Sequence, residues 1–243
     1  MKTVLSKYKS FLKSNNKLSF KSYDDLHYWS VNEIEDFWDS IVKFFKIEFD
    51  QSPTTIYKFN EDFISTLWFE NAKISYSKNV FKNHTLKSPA IKYQDENGDY
   101  IEISWKSLKI KTLEFQKILI ENNVQIGDRV AGYCSNTPDV VAAFLAVNSL
   151  GAIWSSCSPD FGYDSVYDRF NQIQPKILFY HSEYMYNGKL YSLDSKAQKL
   201  KSSIKSISCI LDLNTKSTFS NSLENVKLTF KSVDFNHPIW ILF

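Results

Sequence analysis

Cysteine and histidine are the first side chains to consider for chemistry, because both can serve as nucleophiles, bases or metal ligands. The cysteines are widely separated and form no C-x-x-C pair, so they indicate neither a zinc site nor a disulfide framework. The histidines have no metal-ligand spacing, and no Ser/His/Asp or Cys/His nucleophile set is visible. These residues are Cys134, Cys157, Cys209, His27, His84, His181 and His237. We therefore predict no metal site and expect the cysteines to be free thiols of a reducing, cytoplasmic protein.

The charge balance gives no reason to expect a polyanionic partner. Lys and Arg number 29 against 27 Asp and Glu, a net charge of +2. No concentrated basic patch is expected, so neither nucleic acid nor an anionic membrane is a predicted partner. The sequence has no apolar run of about 18 residues and no signal peptide, so we expect no membrane span. Arginine occurs only at Arg129 and Arg169; for Arg169, next to Asp168, we expect an ion pair rather than a ligand contact.

The elements that would position a site are clearest in the middle of the chain. Short apolar runs predict buried strands at 127–134, 152–157 and 176–180, and helical segments lie between them. Asn136 or Thr137 can cap the first helix, Pro138 suits its first turn, and Gly151 can end it. A second helix is predicted at about 164–174. Two strand–helix–strand units imply a parallel sheet, so the predicted fold class is α/β.

The flanking segments have other patterns. Residues 1–85 are rich in aromatics and helical in spacing; residues 29–49 predict one helix with Ser30 as N-cap and Glu33 completing a capping box. The pattern at 92–103 predicts a hairpin that turns near Asn97-Gly98. Further predictions are a helix at 105–122, a solvated helix face at 195–205, a strand at 206–211 and an exposed loop at 214–222.

The final residues, IWILF at 239–243, are all apolar. Such a run is typical of a central parallel strand, and ligands bind beyond the carboxyl ends of such strands. We predict a buried central strand with neighbours on both edges. Chain termini are usually polar, so the sequence suggests a chain cut where a strand should lead into a loop. Exposed core surface would then favour self-association.

Several segments resemble one family. GDRVAGYCSNTPDVVAAFLAVNSLGAIW at 127–154, and GAIWSSCSPDFG with DSVYDRFNQIQPKILF at 151–179, are similar to acetoacetate–CoA ligases, a branch of the adenylate-forming acyl-CoA synthetases. Residues 22–45 resemble the N-terminal cap shared with acetyl-CoA synthetases, and residues 68–81 the segment leading into the main domain. Residues 233–243 resemble the strand before the family's phosphate loop. The WSSCSP stretch favours the acetoacetate branch.

The resemblance implies an AMP-forming acid–thiol ligase that uses ATP, Mg²⁺ and CoA with acetoacetate. It also implies a helical, aromatic-rich cap region at 1–85 and, at 86–243, the first part of the AMP-binding domain with an incomplete, mostly parallel sheet. In the family a glycine-rich loop after the strand matching 239–243 holds the ATP phosphates. No glycine follows Gly188 here. We therefore expect no catalytic or ATP-binding residue in this chain, no tightly bound cofactor, and an inactive N-terminal part of the enzyme.

The resemblance leaves a CoA surface as the site to look for. In relatives two basic residues after the strand matching 176–180 contact the nucleotide end of CoA. Lys189 matches the second of them, whereas Met185 stands where the first would be arginine. The turn with Asp160 and Phe161 matches a loop near the pantetheine arm. The alternatives are a solvated lysine and a simple turn built by Pro159 and Gly162.

Two other functions stay open at this point. One is a stand-alone, non-catalytic module that binds CoA or a partner chain. The other is a ligase of the same family for another short acid, because the acyl pocket of relatives lies mostly in residues that follow the matched segment. The coding DNA beyond codon 243 separates the first alternative from a ligase, since a ligase frame would continue into the glycine-rich loop.

Overall fold

The computed structural model describes residues 3–82, 88–215 and 227–243. The chain divides into two compact units. The N-terminal unit comprises Met1–Ile74 with Asp234–Asn236, and the sheet unit comprises Ser75–Val233 with His237–Phe243. His84 and residues 216–222 of the predicted loop lie outside the described residues.

Three helices form the first part of the N-terminal unit: α1 (Val4–Asn15), α2 (Tyr23–Asn32) and α3 (Ile34–Phe45). The single helix predicted over 29–49 is wrong, because the chain leaves helical geometry at Glu33, where φ is −109° and ψ is 62°. Ser30 lies inside α2 and donates to the His27 carbonyl at 2.7 Å. The capping box exists, but Ser22 and Asp25 form it, one helix earlier.

Short strands complete the N-terminal unit: β1 (Thr55–Lys58), β2 (Leu67–Glu70) and β3 (Lys73–Ile74). β1 and β2 pair antiparallel, with Tyr57 opposite Trp68. Much later in the chain, after β12 (Val233–Asp234), the N–H of Phe235 donates to the Ala72 carbonyl at 3.0 Å. A salt bridge of 2.7 Å from Lys73 Nζ to Asp234 reinforces this contact.

The sheet unit alternates helices with strands, which confirms the α/β prediction. A four-stranded sheet has the order β11-β8-β6-β7, and all its pairings are parallel. The β4–β5 hairpin is confirmed, with Gly98 at a φ of +90° in its turn. The elements are α4 (Tyr76–Lys82), β4 (Ile91–Gln94), β5 (Tyr100–Ile103), α5 (Trp105–Glu121), β6 (Arg129–Tyr133), α6 (Pro138–Ser149), β7 (Ile153–Cys157), α7 (Tyr163–Ile173), β8 (Ile177–Tyr180), β9 (Glu183–Tyr186), β10 (Lys189–Ser192), α8 (Asp194–Ser203) and β11 (Cys209–Asp212).

Local signals in the sequence explain why α6 starts and stops where it does. Thr137 is the N-cap and Pro138 is the first helical residue, where its missing N–H costs nothing. Gly151 follows the C-cap with a φ of +70°, which a side chain would strain. These predictions are confirmed, and so are the two strand–helix–strand units.

The sheet is buried on both faces because its side chains alternate between two hydrophobic clusters. Val130, Trp154 and Phe179 pack against α5 and α6 on one face. Tyr133 and Leu178 pack against α7 and α8 on the other. The indole Nε1 of Trp154 is fully buried and meets no hydrogen-bond acceptor among the described residues. Cys134 and Cys157 are buried free thiols, and burial raises their pKa values to about 12 and about 11.

The segment at 239–243 runs parallel to β7 but is not a buried central strand. The Trp154 N–H donates to the Ile239 carbonyl at 3.1 Å, and the Ile241 N–H donates to the Trp154 carbonyl at 2.8 Å. The predicted burial is wrong, since Leu242 is 79% and Phe243 is 55% exposed. Within the described residues the segment has a strand neighbour on one edge only. Among the helices of residues 3–82, 88–215 and 227–243, none is long and apolar enough to cross a membrane.

The close packing of Trp154 on Gly132 generates a testable prediction. A Cβ added at Gly132 would lie 2.6 Å from the Trp154 ring, whereas one at Gly162 would meet nothing within 4 Å. Gly132→Ser should therefore lower the free energy of unfolding by about 2 kcal/mol, a value typical of an overpacked core. Urea unfolding measures this loss. Gly162→Ser is the matched control and should be neutral, because serine is a good N-cap and Gly162 caps α7. Equal stability of the two variants would contradict the packing of β6 on β7.

Candidate functional site

The order of the strands identifies one place in the sheet where a ligand is expected. β6 leads into α6 on one face of the sheet, whereas its neighbour β8 leads through a hairpin into α8 on the other face. The connections that follow β6 and β8 therefore leave the sheet towards opposite faces. In open α/β sheets, ligands bind in the crevice at such a topological switch point.

A cavity of about 440 Å³, here called the sheet-end cavity, lies at this switch point. The loops after β6 and β8 supply Ser135, Thr137 and His181 to its wall, and the β9 strand supplies Tyr184 and Met185. The volume is within the range of small-molecule pockets, roughly 300–1,000 Å³. The described geometry thus agrees with the general rule for where α/β sheets bind ligands.

His181 joins the two loops across the switch point. Its Nδ1 accepts a hydrogen bond from the Ser135 N–H at 3.1 Å, and its Nε2 lies 3.5 Å from Thr137 Oγ1. Burial lowers the pKa of His181, although the carboxylates of Asp139 and Asp212 oppose the shift. A neutral ring with its proton on Nε2 satisfies both contacts. His181 therefore holds the loop that precedes α6.

The neighbouring loop after β8 is held in a similar way. The carboxylate of Asp212, at the end of β11, accepts from the N–H groups of Ser182 and Asn214, each at 3.0 Å. Burial alone would raise the pKa of Asp212, but these hydrogen bonds outweigh it, and the pKa lies below its ordinary value. The carboxylate thus stays charged and clamps the ends of β8 and β11 together.

The turn with the predicted residues Asp160 and Phe161 follows the carboxyl end of β7. The Tyr133 hydroxyl donates to the Phe161 carbonyl, and the Ser158 hydroxyl donates to the Asp160 carboxylate. Burial raises the pKa of Tyr133 to about 12, with Tyr184 contributing, so the hydroxyl stays protonated and remains a donor. Burial raises the pKa of Tyr184, and the negative charge of the Asp160 carboxylate adds to this shift.

Among the described residues, Arg169 has no partner for the ion pair expected from the sequence. Its Nη1 donates to the Ser165 carbonyl at 2.7 Å, and its guanidinium lies 5.2 Å from the centre of the Phe161 ring. Adjacent helix positions do not face each other, so Asp168 points away, whereas Ser165 is one turn back on the same side. Arg169 instead supports Phe161 through a cation–π contact.

Lys189 is the first residue of β10, just after the β9–β10 turn. Asn187 and Gly188 have φ values of 49° and 71°, the geometry of a two-residue hairpin turn. Lys189 pairs with Tyr186 and is exposed, and Met185 pairs with Leu190. The structure thus brings Asp160 and Phe161 together in one turn, while Lys189 is at the tip of the adjacent hairpin. A contact of these residues with CoA stays a prediction.

The charge of the sheet-end cavity limits what it can bind. Asp95, Glu96, Asp139 and Glu183 line it, and no Lys or Arg is among its described lining residues. Phosphate groups would be repelled from such a wall. Among the described residues, no group of three or more His, Cys, Asp or Glu side chains is arranged to hold a metal ion. The sheet-end cavity is therefore unsuited to an anionic ligand.

The sequence interpretation missed His181, Tyr133 and Tyr184 as parts of the site. Tyr133 ends β6 and His181 directly follows β8, two positions at the carboxyl ends of predicted strands. Their position at the ends of predicted strands was the feature of the sequence that could have identified them as site residues. Their pairing across neighbouring loops depends on strand order, which periodicity does not provide.

Comparison with known proteins agrees with the fold. The family described as AMP-binding enzyme matches residues 79–243, and the acetyl-coenzyme A synthetase N-terminus matches residues 23–80. Because the first match covers more than half of the chain, the chain belongs to the AMP-binding enzyme family.

Within that family, the similar proteins include several acetoacetyl-CoA synthetases. That of Macaca fascicularis is 30% identical over 99% of this chain and 39% of its own length, and that of Rhizobium meliloti is 30% identical over 93% and 36%. The solved acetoacetyl-CoA synthetase from Streptomyces lividans superposes with a TM-score of 0.88 at 26% identity, covering 98% of this chain and 38% of that one. The chain thus spans about two fifths of the length of these relatives.

The shift at His181 leads to a prediction about pH. Its folded pKa lies below the unfolded value of about 6.5, so stability is complete above that pH and falls as the pH drops, because only the unfolded state then binds a proton. His181→Asn, which retains an acceptor for the Ser135 N–H, should remove this component. The free energy of unfolding can be measured with urea at several pH values between 8 and 5. Plotted against pH, it should have a shallower slope in His181→Asn, by up to about 1.4 kcal/mol per pH unit.

His27→Asn is the matched control, because His27 is an exposed histidine of α2. It should retain the pH dependence of the unmodified chain. An unchanged slope in His181→Asn would show that His181 is not held neutral in the folded state.

Proposed function

We propose that the protein containing these residues ligates acetoacetate to CoA through an acyl-adenylate, with ATP and Mg²⁺. The carboxylate would attack ATP to give acetoacetyl-adenylate and pyrophosphate, and the CoA thiol would then displace AMP. The observation that carries the proposal is similarity over nearly the whole chain to acetoacetyl-CoA synthetases, with a TM-score of 0.88 to a solved one. ATP, CoA and acetoacetate are the proposed partners.

Residues 1–243 would contribute one side of the CoA surface to this reaction. We assign residues 1–85 to the cap region and residues 86–243 to the first part of the AMP-binding domain. Phe161, held by Tyr133 and supported by Arg169, would present an apolar edge to the pantetheine arm. Lys189 would pair as a point charge with a phosphate of the nucleotide end. The acidic sheet-end cavity beside the hairpin would keep phosphates away from the switch point.

A ligase for a different short acid is the second candidate. The malonamoyl-CoA synthetase vrtB of Penicillium aethiopicum is 27% identical over 96% of this chain, close to the identity of the acetoacetyl-CoA synthetases. Sequence similarity in residues 1–243 therefore does not distinguish acetoacetate from malonamate as the substrate. A panel of acetate, malonamate and acetoacetate would distinguish the two candidates in the same assay.

Adenylate formation tests the proposed chemistry. Residues 189–243 contain no glycine, so they supply no glycine-rich phosphate loop. We expect purified residues 1–243 to release no acetoacetate-dependent pyrophosphate with ATP and Mg²⁺, since nothing would hold the phosphates. If the coding DNA beyond codon 243 continues into such a loop, the longer product should form AMP with acetoacetate and CoA. Turnover by residues 1–243 alone would refute the assignment of the phosphate site, and a longer product inactive with every acid would refute the ligase.

Weak CoA binding by residues 1–243 tests the proposed surface. Lys189→Ala should raise the Kd for CoA about three- to fivefold, the size expected for one exposed charge pair. Fluorescence titration with CoA and with dephospho-CoA gives the measurement. Lys201→Ala, an exposed lysine in the last turn of α8, is the control and should bind CoA unchanged. If both variants bind CoA like the unmodified chain, Lys189 is a solvated lysine. CoA binding by a product that never forms adenylate would favour the stand-alone module.

A further inference from the structure

The dipeptide Asn-Gly occurs twice in the sequence, each time in the connection of a hairpin. Asn97-Gly98 lies between β4 and β5, and Asn187-Gly188 lies between β9 and β10. The pair suits such connections because asparagine and glycine both tolerate positive φ angles. The same pair is chemically labile. Glycine has no Cβ, so the asparagine side chain can approach the glycine nitrogen closely.

The reaction open to such a pair is deamidation, which needs only water. The glycine nitrogen attacks Cγ of the asparagine, and a C–N bond forms. The side-chain nitrogen then leaves as ammonia with the proton that the glycine nitrogen gives up. Water opens the resulting succinimide at either carbonyl and yields aspartate or isoaspartate. Two conditions favour the reaction: the glycine N–H has no other partner, and the turn opens far enough for Cγ to reach it.

The turn of Asn97 meets neither condition. The Gly98 N–H, which would have to attack, donates to the Asp95 carbonyl at 3.1 Å. The Asp95 carboxylate accepts from the N–H groups of Asn97 and Asp99, each at 2.9 Å. Hydrogen bonds from one residue to three positions of the connection hold its backbone in a single conformation. Asn97 is therefore restrained as well as deprived of its attacking group.

The turn of Asn187 is restrained much less. Asn187 and Gly188 have φ values of 49° and 71°, and both are exposed. Within the described part of the chain, neither the Gly188 N–H nor the Asn187 side-chain amide has a hydrogen-bond partner. The attacking nitrogen and the carbon that it attacks are thus both accessible to solvent and to each other.

The two hairpins also differ in how they are anchored. Ile91 of β4 and Ile103 of β5 pack against the hydrophobic cluster on one face of the sheet. Tyr184 anchors β9 to the cluster on the other face, but all four residues of β10 are exposed. A two-stranded hairpin with few buried contacts is marginally stable and opens locally at low free-energy cost. The β9–β10 tip should therefore open more often than the β4–β5 tip.

We propose that Asn187 is a site of spontaneous deamidation and that the turn around Asn97 protects that residue from the same reaction. The product places a carboxylate at the hairpin tip that carries Lys189, and one added negative charge lowers the net charge from +2 to +1. Isoaspartate also lengthens the backbone, which a two-residue turn cannot absorb without a change of strand register. The inference is independent of the ligase proposal.

Peptide mapping by mass spectrometry measures both sites in one incubated sample of residues 1–243. At mildly alkaline pH, Asn187 should deamidate at least about tenfold faster than Asn97, because the turn of Asn97 must first break its hydrogen bonds to Asp95. In concentrated urea the two rates should converge, since glycine follows both asparagines. Circular dichroism checks that the sample without urea stays folded.

Three variants separate the turns from the local sequence. Asp95→Ala removes the carboxylate that restrains the turn of Asn97, so it should speed deamidation at Asn97 several-fold and leave the rate at Asn187 unchanged. Asn187→Gln should abolish the acidic form that isoelectric focusing detects, because glutamine closes its larger ring more slowly. Asn97→Gln is the matched control and should still accumulate that form.

The outcomes that would overturn the proposal are specific. Equal rates at Asn187 and Asn97 in the folded chain would show that the turns do not control the reaction. A rate difference that persists in urea would assign the effect to neighbouring residues rather than to structure. An acidic form that accumulates undiminished in Asn187→Gln would place the modification elsewhere in the chain.

Discussion

The close contact between β6 and β7 is the constraint on which the rest of the sheet unit depends. Trp154 lies against Gly132 so closely that even a methyl group would not fit between them. Trp154 then spans from β7 to Phe179 of β8, at a ring distance of 6.0 Å, and closes one face of the sheet. With β6 fixed between β7 and β8, the loops after these strands converge, and the residues of the candidate site come within contact distance.

The candidate site is consequently a set of loops tied together rather than a set of reactive groups. His181 ties the loop after β8 to the loop after β6, Asp212 ties β8 to β11, and Tyr133 holds the turn after β7. Each tie uses a group whose protonation is fixed by burial or by hydrogen bonds. Such loops can present a rigid surface to a co-substrate, which is the role proposed here for Phe161 and Lys189.

The sequence predicts what depends on local chemistry and misses what depends on the partners of each element. Pro138 and Gly151 bound α6 as expected, because their backbone restrictions act within one turn. Ser30 was a wrong N-cap, because Ser22 offers the same chemistry eight residues earlier and α2 begins there. The run at 239–243 has the composition of a central strand, but within the described ranges it pairs with a strand on one side only. His181 belongs to the site because β8 lies next to β6 in the sheet. This strand order cannot be read from a short stretch of sequence.

The unpartnered indole nitrogen of Trp154 has a spectroscopic consequence. An indole excited by ultraviolet light emits at longer wavelength when polar neighbours or water can reorient around it. Trp154 is fully buried and its Nε1 has no acceptor among the described residues, whereas the other five tryptophans are all at least partly exposed. Its emission should therefore form the blue edge of the spectrum and resist external quenchers. The protein thus carries a built-in optical reporter at the junction of β6 and β7.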